Sequence, residues 1–403
     1  MLGEIFNQIM EKTYRLNYSS NNDSNEFLRC LWSILRKNFG KAAWNLLPFK
    51  VADKKFVHFG YIDLGKIANT STNVKCTYSK KGCLNTITFE NNDLIDENEF
   101  IKLLNSSIDE SKNFKNLKKK FICYIEFDNT IQFQETKGNH FTIENNIFSF
   151  NIIGYDETDA KTFANSNIRF LSRILSFDNL KFINLKNTGI SELRNNREII
   201  ITDYETGASS SHIISDELKK LKVSNYISRY IDNFLVRDIN YIEPLNYFEK
   251  SIIFFAEGLF FEELYNTSLS LDFNSIEYAI TSYMSSLELI TINDIKSEKC
   301  NSCNQDIFSI SKRIMKLAKD SQLYNESINK IISQHYVTRS KFIHTGSLIA
   351  MHNYIGKSIP LLSFNSESGL IDQRAKMNNL LKNVIKDLIL YHQKDNKDFT
   401  SHT

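Results

Sequence analysis

Residues 324–345 read YNESINKIISQHYVTRSKFIHT, and the spacing of the apolar side chains in this stretch decides how the second half of the chain folds. With Ile328 at zero and about 100° added per residue, Ile331, Ile332, His335, Phe342 and Ile343 all fall within about 60° of it. That is the stripe of a helix packed on one side. Arg339 comes at roughly 20°, inside the stripe, where a guanidinium needs a partner. Tyr336 follows at roughly 80°, Ser340 at 120° and His344 at 160°, and Gly346 is placed to stop the helix.

The same period governs the sequence on either side. Pro244 is expected to open a helix that is apolar on nearly every side through Leu264, as a central buried helix would be. Asn274 with Glu277 three residues on resembles a capping box, and Ile276, Ala279, Ile280, Tyr283, Met284 and Leu287 form one stripe. Further helices are expected over about 309–318 and 372–391, the last on Met377, Leu380, Leu381, Val384, Ile385, Leu388 and Ile389. Five helices with modest loops over 225–395 make an all-α bundle.

Upstream the period changes to two. Residues 55–65, 74–79, 84–90, 121–127, 130–135 and 146–153 are short aromatic and β-branched runs bounded by Asn, Asp and Gly, which predicts strands. Asp128-Asn129 is a plausible hairpin turn. Helices are expected at 2–12, 26–40 and 158–176, and further short strands at 181–185 and 198–202. Residues 1–211 are therefore expected to form an α+β region of mostly antiparallel pairing. Thr206 to Ser211, small and polar, is the best candidate linker.

Composition excludes several classes. The chain has 403 residues, 42% of them hydrophobic and 24% charged, enough to bury a core and too much for a disordered protein. Glycine and proline number 13 and 3, which excludes collagen-like and glycine-rich sequences. With 49 basic and 47 acidic residues, the overall field draws no polyanion from a distance, so nucleic acid would be met by a local patch. No apolar run approaches the roughly 18 residues that span a bilayer. The amphipathic spacing of Leu2, Ile5, Phe6, Ile9 and Met10, with Glu4 and Glu11 between, is unlike a secretion signal. A cytoplasmic protein is expected.

Arginine, phenol, hydroxyl and imidazole on one helical arc suit a particular reaction. Cleavage of RNA by its own 2′-hydroxyl needs a base, a cation for the pentavalent phosphorane and an acid for the leaving 5′-oxygen, and it needs no cofactor. Histidine titrates near neutrality, and arginine offers a planar fork to phosphate oxygens. One Arg and one His do not complete the set. Two copies across a two-fold axis would.

Arg339-Ser340-Lys341-Phe342-Ile343-His344, in the fourth helix of a bundle, resembles the signature of the HEPN domains (higher eukaryotes and prokaryotes nucleotide-binding), and of their Apea-like branch in particular. Ser282 to Glu288 and Ser309 to Ile314 look like the preceding family helices, and Ala164 to Asn179 like a segment common upstream. The chain departs from the pattern in placing Thr345 between His344 and Gly346. It also carries His335, expected to be a packing residue, four positions before Arg339, where some members have an acid. The resemblance implies a metal-independent endoribonuclease of toxin or anti-phage systems, acting on RNA as a homodimer through the bundle, with a phage-derived trigger or an antitoxin as a further partner. Arg339 and His344 would be catalytic, with Tyr336, Ser340 and Glu288 in support. In the alternative reading the bundle only dimerises and binds RNA or a nucleotide; Arg339 then pairs with Glu288 and His344 rests at the negative end of its helix.

Six cysteines without dense spacing make no disulfide framework. Cys300 and Cys303 form half a zinc knuckle, and Cys76 with Cys83 could supply a second pair, but two free thiols in a loop is the better expectation. Lys118 to Lys120 reads as a solvated strand end. Walker A, dinucleotide-binding and His-Glu-x-x-His motifs are absent.

Overall fold

A computed structural model describes residues 10–44, 49–50, 56–65, 67–80, 82–127, 131–183, 185–192, 220–236, 245–267, 275–292, 298–299, 306–307, 310–321, 323, 325–346 and 374–400. The chain is a mixed α+β protein with two compact units. One comprises residues 1–124, 150–166 and 189–207; the other comprises 125–149, 167–188 and 208–403. The second unit thus takes in two segments upstream of residue 211.

The first unit is built on an antiparallel sheet of β1 (Met10–Arg15), β2 (Ala43–Trp44), β3 (Phe49–Lys50), β4 (Phe56–Asp63), β5 (Thr72–Lys80) and β6 (Cys83–Asn91). Its order is β1-β6-β5-β4-β2, with β3 also on β4. Period-two alternation sends Ile87 and Phe89 of β6 into the core, where both are fully buried. The alternate threonines pair across strands on the other face, Thr77 with Thr86 and Thr13 with Thr88. Helix α1 (Asn21–Phe39) begins where the Ser20 hydroxyl accepts from the Asp23 amide, and ends at Gly40 in the left-handed region. Its Phe27, Leu31, Leu35 and Phe39 join Phe100, Leu104 and Ile108 of α2 (Glu97–Ser111) in the same core.

One expectation fails in this unit, and one element appears where none was expected. Residues 10–12 are strand, paired with Phe89 to Asn91, because the edge of β6 takes up backbone groups that a lone amphipathic turn would leave to water. Helix α2 lies where the sequence reading placed nothing.

A second sheet has the order β11-β7-β10-β9-β8, from β7 (Lys119–Phe127), β8 (Thr136–Lys137), β9 (Phe141–Glu144), β10 (Ile147–Gly154) and β11 (Leu185–Glu192). Asn145 and Asn146, both at positive φ (51° and 61°), turn β9 into β10. The strand expected at 130–135 is absent among its described residues; Phe133 makes a single bridge to Leu221 instead. The strand expected at 181–185 starts only at Leu185. The Asp128-Asn129 turn, residues 198–202 and the linker at 206–211 lie outside the described residues.

Helix α3 (Glu157–Asn179) follows β10. The second unit then carries α4 (Asn225–Val236), α5 (Tyr247–Thr267), α6 (Ser275–Ile290), a short pair β12 (Glu298–Lys299) and β13 (Asp306–Ile307), α7 (Ile310–Asp320), α8 (Glu326–Thr345) and α9 (Arg374–Thr400). Helix α4 was not foreseen; the other five match the expected helices within a few residues, except that α9 runs nine residues past its expected end at 391. Tyr283, Met284 and Leu287 of α6 and Leu381, Ile385, Leu388 and Ile389 of α9 are fully buried. Helix α5 is not enclosed on every side: Ile252, Phe255, Ala256 and Leu259 face the core, while Phe254 and Phe260 are exposed. No described helix is long and apolar enough to cross a membrane.

Candidate functional site

Helix α8 is fixed at both ends by local chemistry. The Asn325 side chain accepts from the Ile328 amide at 2.8 Å, and Gly346, at φ 65°, returns its amide to the Phe342 carbonyl at 3.0 Å. Between the caps the helix buries only a narrow seam. Ile332 and His335 are inside, and Arg339 and Phe342 are half-buried next along the same seam. The Phe342 ring meets Tyr278 of α6 edge-on at 5.4 Å. Ile343, expected within the stripe, is 47% exposed, because at 60° from its centre it falls beyond the contact with α6. His335 is the packing residue expected, with Nδ1 2.8 Å from the Ile331 carbonyl.

Arg339 has an acidic partner in its own chain. Its Nη2 donates to Glu288 Oε2 of α6 at 3.0 Å, with 19% and 14% of the two side chains exposed. Burial pushes the Glu288 carboxyl up, while Arg339 and then Arg313 of α7 pull it down; burial wins. The pair is not saturated. Arg339 Nε and Glu288 Oε1 are buried without a hydrogen-bond partner, and so is Arg313 Nε.

His344 lies five residues beyond Arg339, about 7.5 Å along the axis, in the last turn, and is exposed. Tyr336 and Ser340 are half-buried on the arc between them. The fold therefore brings Arg339 and Glu288 into contact, sets Tyr336 and Ser340 on the flank and turns His344 outward. A carboxylate takes one N–H of the Arg339 guanidinium. Arg313 belongs to this neighbourhood and escaped the sequence reading. Its signal was its place beside the buried stripe of Ile314, Leu317 and Ala318, a position no unpaired cation should hold.

The metal-ligand candidates fare differently. Cys300 and Cys303 lie outside the described residues. Cys76 and Cys83 are both buried and free, but the strand register sets Cys76 opposite Ile87 and Cys83 opposite Lys80, so they make no ligand pair. Burial raises the Cys76 thiol to about 11 and the thiols of Cys30 and Cys123 to about 12. Among the described residues, no cluster of three His, Cys, Asp or Glu could hold a metal ion. Lys118, Lys119 and Lys120 are exposed at the start of β7, as a solvated strand end would be, and Lys118 also pairs with Glu26 of α1 at 2.6 Å.

Comparison with protein-family models, with curated proteins and with solved structures returns no match for this chain.

Proposed function

We propose that this chain is a metal-independent endoribonuclease of the HEPN kind, acting as a homodimer in the cytoplasm as a toxin or in anti-phage defence. The observation that carries the reading is the Arg339–His344 pair on one capped helix end. The guanidinium is already committed to an anion, and the imidazole stands open to solvent about one and a half turns on. His344 takes the 2′-hydroxyl proton, and the oxygen so freed attacks the adjacent phosphorus. Arg339 leaves Glu288 for the phosphorane oxygens, and the second protomer's histidine protonates the departing 5′-oxygen.

The test is cleavage of RNA by the purified chain in excess EDTA. The expected products carry a 2′,3′-cyclic phosphate and a 5′-hydroxyl, and deoxyribose at the cut position blocks the reaction. Cleavage that EDTA abolishes and magnesium restores overturns the mechanism.

A second reading is favoured by the Arg339–Glu288 ion pair itself, which is the arrangement of a structural arginine. In that reading the helices serve as a dimerisation and RNA- or nucleotide-binding scaffold. Equal growth of cells expressing wild type and the Arg339→Ala/His344→Ala variant, with RNA intact in both, selects it.

A further inference from the structure

An arginine that must leave a buried carboxylate to bind phosphate creates a problem for the carboxylate. Glu288 is 14% exposed, and without Arg339 it would be a buried charge with its compensation removed. The cost would fall on RNA binding. A second cation within reach of Glu288 would remove that cost.

Arg313 is placed to be that cation. Its Nη1 donates to the carbonyls of Thr291 at 3.4 Å and Ile292 at 3.2 Å. These residues form the turn that follows α6, three and four positions beyond Glu288, and the Thr291 amide bonds back to the Glu288 carbonyl. The guanidinium is thus anchored beside the Glu288 turn while its Nε is buried and unbonded. Glu288 Oε1 is also buried and unbonded. Arg313 and Glu288 thus bring an unused donor and an unused acceptor to one neighbourhood, and the resting ion pair with Arg339 uses neither. The charge of Arg313 already acts on Glu288.

We infer that Arg313 is a positioning residue that receives the Glu288 carboxylate when Arg339 turns to a phosphate. The inference rests on the ribonuclease reading above and adds how its arginine is released. In the resting chain Glu288 holds Arg339 in place; in the RNA-bound chain Glu288 pairs with Arg313, and the guanidinium of Arg339 is free for the anion. Arg313 touches no substrate in this scheme and acts only through Glu288.

The test is a double-mutant cycle over Arg313→Gln and Glu288→Gln in the full chain. The probe is a 2′-O-methyl RNA oligonucleotide, which binds without being cut, read by fluorescence anisotropy. With Glu288 present, Arg313→Gln weakens binding about thirtyfold or more, the range expected when one partner of a buried charge pair is removed. In the Glu288→Gln background there is no charge to receive, and Arg313→Gln changes binding by less than about twofold. Arg313→Lys keeps the charge and stays within about threefold of wild type, which gives a reading should the Gln variant fail to fold. An equal loss in both backgrounds, no loss in either, or a tenfold loss with lysine overturns the inference. Arg339→Gln separates the two levels. If it abolishes binding while residues 288 and 313 show no coupling, only the transfer to Arg313 falls; if it leaves binding unchanged, the ribonuclease reading falls and the transfer with it.

Discussion

Arg339 of α8 and Glu288 of α6 meet through a single 3.0 Å hydrogen bond, in a place where burial raises the carboxyl more than the arginines lower it. The pair is therefore held together by the fold more than it holds the fold together.

That balance fixes a pH dependence. The native carboxyl titrates above its ordinary 4.5, so the native state binds more protons than the unfolded chain in the interval between. The stability Glu288 contributes is complete below the ordinary value and is lost as pH rises through the raised one. Glu288→Gln does not titrate. Urea unfolding between about pH 4 and pH 7 should show wild type losing stability relative to this variant as pH rises. A difference that is flat, or that moves in favour of wild type, contradicts the sign.

Arg339 and His344 lie about 140° apart around α8, too far to face one phosphate from the same side. Arg339→Ala and His344→Ala subunits, each inactive alone, should regain partial cleavage when unfolded and refolded together, since each mixed dimer keeps one Arg and one His. Recovery no greater than the sum of the separate variants argues against a shared cleft.

In the first unit, Arg29 bonds Glu26 at 2.6 Å and Asp159 at 2.9 Å, and stacks on Phe163 with its guanidinium carbon 3.5 Å from the ring centre. Arg29→Met leaves the buried Asp159 without its cation, while Glu26 keeps Lys118, and should destabilise by about 3–5 kcal/mol. Arg36→Met, which breaks the more exposed pair with Asp156, should cost about 1 kcal/mol or less. Chemical denaturation that ranks them the other way refutes the assignment.

Gly258 sits where α5 crosses α6. A Cβ there would lie 2.5 Å from Cδ1 and Cε1 of Tyr283, a ring that is fully buried and cannot yield. Gly258→Ala should therefore destabilise by about 1–3 kcal/mol, although alanine is the better helix former. A rise in thermal midpoint would show that the helices can separate at no cost.

Of the six cysteines, Cys30, Cys76, Cys83 and Cys123 are buried. The raised thiols of Cys30, Cys76 and Cys123 supply little thiolate at neutral pH. An aromatic disulfide reagent should label none of the four at an appreciable rate until denaturant is added. Rapid native labelling of any one of them, located by mass spectrometry, contradicts the packing.

What the sequence made legible follows from where each signal resides. Helices α5 to α9 and strands β4 to β7 carry their periodicity in their own residues, and they lie where expected. The partner of Arg339 was legible too, because an arginine inside an apolar stripe demands an acid and Glu288 ends the stripe of a neighbouring helix. Strand β1 was not: its first residues continue a helical pattern, and only pairing with β6 makes them extended. Helix α2 was passed over because Asp96, which caps it by accepting from Glu99, opens a run in which polar residues outnumber the apolar ones that pack on the core. Arg313 was missed for a different reason. Its place beside the stripe of α7 signals a need for partners, but the partners are carbonyls at the end of another helix, which no spacing along the chain reports.

The start of α5 shows how such distant bonds shape the behaviour of the molecule. The Asn246 side chain accepts from the Glu249 amide at 2.8 Å, and Glu249 Oε2 accepts from the Asn246 amide at 2.9 Å. The other carboxylate oxygen, Oε1, accepts from the phenol of Tyr230 in α4 at 2.9 Å, with Glu249 and Tyr230 both buried. One side chain thus closes the first turn of one helix and docks another. The first turn of α5 cannot fray without releasing the Tyr230 phenol, nor can α4 lift away without baring one oxygen of the carboxylate that caps α5. In amide exchange, α4 and the opening turn of α5 should therefore open together, as one cooperative unit.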